Sequence, residues 1–310
     1  MDALSLVSRE TPAIVFVNPS AGGGRQHTYL PRIKNLFAAH QFHSEFVFTP
    51  SLEELESRTG AAIAAGRRVL LAMGGDGTLQ GLVNAAYGSD VVLGIVPTGG
   101  GNDFAAALGL PKNPLAAAQA ILGGQPSTVD LLRARTADGR ARLYVGGGGV
   151  GLDAQSARYA AYYRRVPGRL RYVVAALRAL IEFAPLRVRA DFPGNESPPF
   201  EEKVLLAAVL NTPTYGAGIR LAALAKIDDG LLNAILVKDL SALQVLALVP
   251  RLITKGDLPE RHLRRVSAKR VRLTANRPSL FHGDGEILGP APVEIEVISR
   301  AIRILAPGPR

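Results

Sequence analysis

The chain has 310 residues and no cysteine, which excludes disulfide bonds and thiolate metal sites. Hydrophobic residues make up 47% of it and charged residues 20%, a balance that excludes a disordered chain. Its formal net charge of +10 predicts an anionic partner such as a nucleotide, a nucleic acid or an acidic lipid surface.

The length is typical of two domains, each large enough for its own hydrophobic core. No apolar run reaches the roughly 18 residues that span a bilayer. Residues 1–4 lack the charged and apolar regions of a signal peptide. Together these features predict a cytoplasmic protein.

The first predicted strand, residues 13–17, leads into a loop that contains an asparagine, a serine and three glycines. Such a loop is typical of a turn that faces a nucleotide, and an ordinary flexible loop is the alternative. A helix is predicted through residues 30–40. The alternating residues 42–49 predict a second strand, and Ser51 is predicted to cap the helix that follows.

A glycine-rich turn at residues 73–78 follows the apolar run 69–72 and precedes helical spacing over residues 79–86. A strand, a glycine turn and a helix start form a phosphate cradle, since the helix start offers free N–H donors. Asp76 would repel phosphate unless it binds a cation, accepts a hydrogen bond or orients a ligand hydroxyl. The alternative is a tight turn without a ligand.

A second glycine turn, residues 97–103, follows the predicted strand 91–96. Strand, loop and helix thus repeat through about residue 128, which predicts a parallel sheet covered by helices. Glycine loops at the carboxyl ends of consecutive strands are where an open α/β sheet binds its ligand.

The sequence changes character near Asp130 and then contains several runs typical of antiparallel strands. Turns are predicted at residues 228–230 and 283–285. We therefore predict a nucleotide-binding α/β domain over residues 1–128 and a β-rich domain with inserted helices over residues 129–310.

The ordered motifs resemble those of the diacylglycerol kinase and sphingosine kinase family of lipid kinases, nearest its bacterial branch. They are the loop at 17–24, the G-G-D-G-T turn at 74–78, the P-x-G-x-x-N-D-F-A loop at 97–105 and the D-G-E at 284–286. The resemblance implies ATP- and Mg²⁺-dependent phosphorylation of a lipid hydroxyl, with a two-layer sandwich as the second domain.

The resemblance and the glycine loops together predict a set of nucleotide-binding residues. These are Asn18, Pro19, Ser20, Thr49, Gly74, Gly75, Asp76, Gly77, Thr78, Leu79, Gln80, Gly99, Gly100, Asn102 and Asp103.

Three acids are predicted to be catalytic. The resemblance makes Glu286 the general base and Asp284 its partner in base positioning or metal binding, and Asp76 is the third. In extended backbone the side chains of Asp284 and Glu286 would point to one face. The alternative is a β-turn with two solvated acids.

Two metal sites are implied by the resemblance. Asp130 matches an acid implicated in Mg²⁺ binding, although alone it is equally a cap or turn residue. A second, structural Mg²⁺ site would take the Asp229 carboxylate and the carbonyl oxygens of Lys226 and Leu231, because hard cations prefer oxygen ligands. An unoccupied turn is the alternative.

The chain also departs from the family pattern. Gly100 stands where the family has a threonine, which predicts the loss of a hydroxyl contact to phosphate. Gly146 stands where an asparagine is common, and residues 222–225 lack the usual proline and acid.

The basic and aromatic residues 158–172 predict a peripheral contact with an anionic membrane surface. A solvated basic helix is the alternative. No nucleic-acid motif accompanies the charge, so no nucleic-acid partner is predicted. A homodimer is left open.

Two other functions compete with the lipid kinase. One is an NAD kinase, which shares the G-G-D-G turn, although the N-D-F-A loop and the D-G-E favour the lipid branch. The other is a non-catalytic lipid- or nucleotide-binding protein, which the departures favour.

Overall fold

The structure is a computed structural model that describes residues 3–308, apart from 164–173, 176–177, 180–181, 183 and 217. The chain divides into two compact units. The first comprises Met1–Asp130 with Arg300–Arg310, and the second comprises Leu131–Ser299.

The first unit contains a parallel sheet. Its strands are β1 (Ala13–Val17), β2 (Ser44–Phe48), β3 (Val69–Gly74) and β4 (Val92–Pro97), and they lie in the order β4-β3-β1-β2. Every residue of β1, β3 and β4 is buried. Continuous burial is what a parallel strand covered on both faces requires, so the prediction of an α/β first domain is confirmed.

Helices connect these strands. They are α1 (Arg25–Ala39), α2 (Leu52–Ala64), α3 (Asp76–Ala86), α4 (Asp103–Ala107) and α5 (Pro114–Leu122), with short 3₁₀ turns at Leu4–Leu6 and Ala21–Gly23. Helix α2 begins as predicted, since the Ser51 side chain accepts a hydrogen bond from the Glu54 N–H.

The order of the strands indicates where along the sheet a ligand is expected to bind. The chain passes from β1 outward to β2, then returns across β1 to β3, so the strand order reverses between β1 and β3. In open α/β sheets, ligands bind outside the carboxyl ends of the strands at such a reversal. The loops after β1 and β3 therefore border the expected ligand site.

The second unit is built on antiparallel strands, and the first and the last of them extend into the first unit. They are β5 (Gln125–Arg135), β6 (Ala141–Tyr144), β7 (Gly147–Gly151), β8 (Leu186–Asp191), β9 (Phe200–Leu210), β10 (Leu232–Lys238), β11 (Leu263–Ala268), β12 (Arg270–Ala275), β13 (Leu280–Gly283), β14 (Glu286–Pro290) and β15 (Val293–Ala306). The order is β14-β13-β7-β9-β8-β12-β15, with β10 beside β9, β11 beside β10, β5 beside β15, and β6 beside β5.

Two hydrophobic clusters fill the second unit. Along β9, Ala207 and Val209 belong to one cluster, whereas Ala208 and Leu210 belong to the other. Alternate residues of a strand point to opposite faces, so the two clusters cover the two faces of this sheet. The prediction of a β-rich second domain is confirmed.

The second unit also contains two helices, α6 (Leu152–Tyr162) and α7 (Ala242–Lys255), and a 3₁₀ turn at Glu260–His262. No helix among the described residues is long and apolar enough to cross a membrane. Of the basic stretch 158–172, residues 158–163 lie at the end of α6, and residues 164–172 lie outside the described part of the chain.

The division of the chain differs from two consecutive domains at its C-terminal end. Strand β15 begins in the second unit, but its residues Arg303 and Ile304 pair in parallel with Val92 and Leu93 of β4. The segment Arg300–Arg310 therefore belongs to the first unit, and the first unit runs to Asp130.

Candidate functional site

Three loops meet at the carboxyl ends of β1, β3 and β4. The Asn18 side-chain amide donates a 3.0 Å hydrogen bond to Thr78 Oγ1, which ties the loop after β1 to the first turn of α3. A Cβ on Gly22 would lie 2.0 Å from the Thr98 carbonyl oxygen. The first loop therefore contacts both glycine turns directly.

The two glycine turns also contact each other. A Cβ added to Gly99 would lie 2.5 Å from the Gly75 Cα, and one added to Gly74 would lie 2.2 Å from Thr78 Oγ1. Glycine is required at position 99 because no side chain fits between the turns, and at position 74 because the Thr78 side chain occupies the space. At Gly100, in contrast, nothing lies within 4 Å of an added Cβ.

Asp76 joins the two glycine turns. Its carboxylate accepts hydrogen bonds from the backbone N–H groups of Asp103 at 2.9 Å and Phe104 at 3.3 Å. These donors begin α4, where a negative charge is favourable. Of the three roles considered for this carboxylate, the structure shows the acceptance of hydrogen bonds.

Other residues that were predicted to bind the nucleotide lie in the same loops and in α3. The Ser20 N–H donates to Asn18 Oδ1 at 2.9 Å, and the Pro19 carbonyl oxygen accepts from the Gln26 side chain. Asn102 adopts a left-handed backbone with φ 58°, and its side chain donates to the Gly99 carbonyl oxygen at 3.0 Å. The side chain of Leu79 is fully buried.

Buried polar atoms without a hydrogen-bond partner cluster in these same loops and elements. Within the described residues they include Thr49 Oγ1, Thr98 Oγ1, Asn102 Oδ1, both amide atoms of Gln80, and Gln26 Oε1. Burying a polar group without a partner is costly, so these atoms indicate a ligand that completes the site.

Two of these residues, Thr98 and Gln26, were not predicted from the sequence. Thr98 follows β4 at the edge where β1 and β3 end, so its place after a buried strand was a usable signal. Gln26 is completely buried in the first turn of α1, and no sequence pattern indicates that.

The first unit thus offers a site for a polyphosphate. Helix α3 begins at Asp76 directly after Gly75, so the N–H groups of its first turn face the end of β3. The adjoining glycines permit close approach of a ligand to the backbone. A nucleotide phosphate fits this geometry and the unpartnered polar atoms around it.

In the second unit, a tight hairpin carries the predicted catalytic acids. Asp284 and Gly285 have φ values of 49° and 90°, and Gly283 pairs with Glu286. Positive φ at both central residues is what a type I′ hairpin turn requires. The turn predicted at residues 283–285 is therefore confirmed, and the side chains of Asp284 and Glu286 do not lie along extended backbone, because the Asp-Gly pair forms the turn itself.

The Asp284 carboxylate is bound by a neighbouring loop. It accepts hydrogen bonds from the N–H groups of Val145 at 2.7 Å, Gly146 at 2.9 Å and Gly147 at 3.2 Å. Burial raises the pKa of Asp284 to about 6, although the three donors act in the opposite direction. Glu286, the first residue of β14, is exposed.

The glycine at position 146 has a steric role here. A Cβ at this position would lie 3.1 Å from Asp284 Oδ1, which is tighter than ordinary contact. The departure from the family's asparagine therefore accompanies a close approach between the loop and the carboxylate.

A hydrogen-bonded cluster beside this hairpin was not predicted from the sequence. The Tyr215 hydroxyl donates to Asp153 Oδ2 at 2.6 Å and lies 2.7 Å from His282 Nε2, which is itself 2.9 Å from Asp153 Oδ2. Burial and the Asp153 carboxylate raise the pKa of Tyr215 well above its usual range. These residues are too far apart in sequence for any local motif to link them.

The residues predicted to bind metals lie in two separate places. Asp130 is buried, and its Oδ1 accepts a 2.7 Å hydrogen bond from the Arg300 N–H. Asp229 is exposed, and its carboxylate accepts from the Leu231 N–H at 3.0 Å, in the same turn as Lys226. The described residues contain no group of three or more His, Cys, Asp or Glu arranged to hold a metal. Both metal sites stay predictions.

Comparison with known families gives two matches. A family profile described as the diacylglycerol kinase catalytic domain matches residues 12–134. A second, described as the YegS C-terminal NAD kinase beta sandwich-like domain, matches residues 148–306. The two matches together cover most of the chain.

Individual relatives agree with these matches. The diacylglycerol kinase of Mycobacterium tuberculosis (strain ATCC 25618 / H37Rv) is 32% identical over 248 residues, which cover 80% of this chain and 79% of that protein. A probable lipid kinase YegS-like protein of Xanthomonas axonopodis pv. citri is 30% identical over 266 residues, which cover 82% of this chain and 84% of that protein.

A solved structure shows the same fold. The crystal structure of a diacylglycerol kinase from Bacillus anthracis str. Sterne matches with a TM-score of 0.70 at 22% identity, and the match covers 96% of this chain and 97% of that one. With the family profiles and the relatives above, the glycine turns and the D-G-E hairpin show that this chain belongs to the diacylglycerol kinase family of lipid kinases, which are phosphotransferases with a lipid-type acceptor.

Proposed function

We propose that this protein transfers the terminal phosphate of ATP, bound together with Mg²⁺, to a hydroxyl of diacylglycerol or a closely related lipid. The observation that carries the nucleotide part is the direct contact of the two glycine turns, joined by the Asp76 carboxylate. The lipid acceptor rests on the family and on the named relatives.

In the proposed reaction the first unit binds the nucleotide. The first-turn N–H groups of α3 and the glycine backbone donate hydrogen bonds to the phosphate oxygens. The unpartnered hydroxyls of Thr49 and Thr98 and the Gln80 amide supply further polar contacts. Asp76 acts through its two backbone donors, since it fixes the second glycine turn against the first.

The chemical step needs a proton acceptor. Glu286 takes the proton of the lipid hydroxyl while that oxygen forms a bond to the γ-phosphorus of ATP. The bond from the γ-phosphorus to its bridging oxygen breaks, and ADP leaves with the electron pair. Asp284 acts as a positioning residue, because its three hydrogen bonds fix the hairpin that carries Glu286.

Magnesium, when bound, neutralises charge on the phosphates during transfer. Mg²⁺ in kinases usually takes one or two carboxylates together with phosphate oxygens. Asp130 offers one such carboxylate, and Asp229 with the carbonyl oxygens of Lys226 and Leu231 fits a second, structural ion. Both assignments belong to the proposal.

The proposal is tested with purified protein, ATP labelled on the γ-phosphate, Mg²⁺ and a mixed lipid extract. We expect label in a lipid product, and no label in lipid when a chelator removes the metal. Label in NADP when NAD is supplied would instead identify a nucleotide kinase. Protein that binds ATP but labels neither acceptor would be a non-catalytic binder, which contradicts the proposal.

A further inference from the structure

Helix α7 is apolar on two opposite faces. On its inner face, Val245 and Leu248 pack against the core cluster that contains Leu205, Ile235 and Leu263. Leu246, Ala247 and Pro250 follow Leu243 by three, four and seven residues. These apolar side chains therefore lie along the opposite face of the helix. A helix that is apolar all round normally lies buried, so the outer face of α7 needs an explanation.

The outer face is exposed to a degree unusual for its residue types. Leu243 is 79% exposed and Leu246 is 48% exposed, and Ala247 and Pro250 beside them are also exposed. Leu224 is 92% exposed, in a loop whose neighbours Ala222 and Ala225 belong to the same core cluster. Exposed apolar side chains grouped in this way mark an interaction surface.

The helix is well defined at both ends. Ser241 and Gln244 form a complete capping box at its start. At its end, Gly256 adopts a left-handed conformation with φ 66°. The exposed leucines are therefore held on a regular helix.

The charges around this face are mainly basic. Helix α7 contains Arg251 and Lys255 and no acid, and Arg251 is paired with Asp257 at 2.7 Å. The Arg220 side chain also donates to the Lys255 carbonyl oxygen at 3.0 Å, which adds a cation at the helix end. An anionic surface complements this combination of leucines and cations.

A second copy of the chain is a poorer partner for this face. A twofold interface between copies brings the same patch onto itself, so the basic groups around α7 would face one another. An anionic lipid layer instead accepts leucines at the acyl boundary and cations among its headgroups.

We infer that the outer face of α7, with Leu224, docks this protein onto an anionic membrane surface. Leu243 and Leu246 enter the boundary between headgroups and acyl chains, and Lys255 contacts anionic headgroups. This surface concerns binding and goes beyond the proposed phosphoryl transfer.

The test is sedimentation of the full-length protein with vesicles of phosphatidylglycerol and phosphatidylcholine, without ATP. Replacement of both Leu243 and Leu246 by Ser should lower the vesicle partition coefficient about tenfold, because two apolar side chains leave the interface. Lys255→Glu should weaken binding to the mixed vesicles and leave binding to pure phosphatidylcholine unchanged.

Leu4→Ser is the matched control. Leu4 is a 37% exposed leucine of the first unit, so its loss should leave vesicle binding at the wild-type level. Far-ultraviolet circular dichroism checks the fold of each variant. If the double variant is unfolded, the single variant Leu243→Ser replaces it, since that side chain contributes little to the core.

Unchanged vesicle binding by the leucine variants, or no binding by the wild type, would overturn the inference. So would a shift from dimer to monomer in sedimentation velocity with vesicle binding intact, because a second copy would then cover the face. Vesicle binding without any phosphoryl transfer would contradict the proposed function alone.

Discussion

The same tripeptide, Gly-Asp-Gly, occurs at residues 75–77 in the first unit and at residues 283–285 in the second. In both places the aspartate carboxylate accepts hydrogen bonds from backbone N–H groups of a distant loop. Asp76 accepts two, from Asp103 and Phe104, and Asp284 accepts three, from residues 145–147. Each aspartate thus fixes two loops together.

The two tripeptides differ in backbone conformation. At Asp76 the chain enters a helix, since helical spacing follows, whereas at Asp284 positive φ values form a hairpin turn between strands. Burial raises the pKa of Asp284 to about 6. The flanking sequence therefore decides the backbone conformation, while the aspartate joins two loops in both tripeptides. In the proposed reaction, the chemistry is carried out by neighbouring groups, the first-turn N–H groups of α3 and the Glu286 carboxylate.

Among the variants of the glycine turns, Gly99→Ala is expected to lower ATP affinity most. Its Cβ would lie 2.5 Å from the Gly75 Cα, so the two glycine turns must move apart. We expect ATP affinity, measured by calorimetry, to fall about 100-fold. Gly60→Ala is the control, because nothing lies within 4 Å of its Cβ in α2. Wild-type affinity in Gly99→Ala would contradict the role given to the turn contact.

The pH dependence of stability sharpens the comparison at Asp284. Its pKa in the folded protein, about 6, lies above the usual value of 3.8, so the folded state binds this proton more tightly than the unfolded state. The stability contributed by this group therefore falls as the pH rises from about 4 to about 6, by at most about 3 kcal/mol.

The measurement compares the free energy of unfolding of the wild type and Asp284→Asn between pH 4 and 7. The difference should move in favour of the wild type as the pH falls. A difference that moves the other way would show that the three N–H donors outweigh burial and lower the pKa.

Asp76→Asn removes the charge that joins the two glycine turns and keeps the size of the side chain. Hydrogen bonds to a charged group contribute about 1.5–3 kcal/mol each, and an amide oxygen replaces only part of that. We expect kcat/KM for ATP to fall about 10- to 100-fold. Asp90→Asn, at an 88% exposed side chain outside these loops, should retain wild-type kinetics.

Gly100→Thr is expected to have the smallest effect, which is an increase in ATP affinity. The family has a threonine at this position, and nothing lies within 4 Å of an added Cβ. A restored hydroxyl contact to phosphate should raise ATP affinity about two- to fivefold. Weaker binding than in the wild type would show that the glycine is needed for close backbone approach.

The parts of this protein that were predictable from sequence are the local ones. The apolar runs 69–72 and 91–96, each followed within three residues by glycine, were enough to predict the strand-turn-helix units and their glycine turns. The cap at Ser51 followed from residues 51–54 alone.

The remaining features depend on contacts between distant residues. The donors to Asp76 lie 27 and 28 residues away, and His282 and Asp153 are 129 residues apart. The return of β15 to the first sheet depends on pairing with β4, which no local pattern records. The turn at residues 283–285 is local and was predictable, because an Asp-Gly pair favours positive φ, whereas the contact of Asp284 with residues 145–147 was not.

The most direct test of the central claim compares ATP binding and phosphoryl transfer in Glu286→Gln. The first unit is proposed to bind the nucleotide without this side chain, so calorimetry should give the wild-type dissociation constant for ATP. Transfer of labelled phosphate to diacylglycerol should fall about 10³- to 10⁴-fold, because glutamine accepts no proton. Wild-type transfer rates in Glu286→Gln, or ATP binding lost together with transfer, would contradict the account.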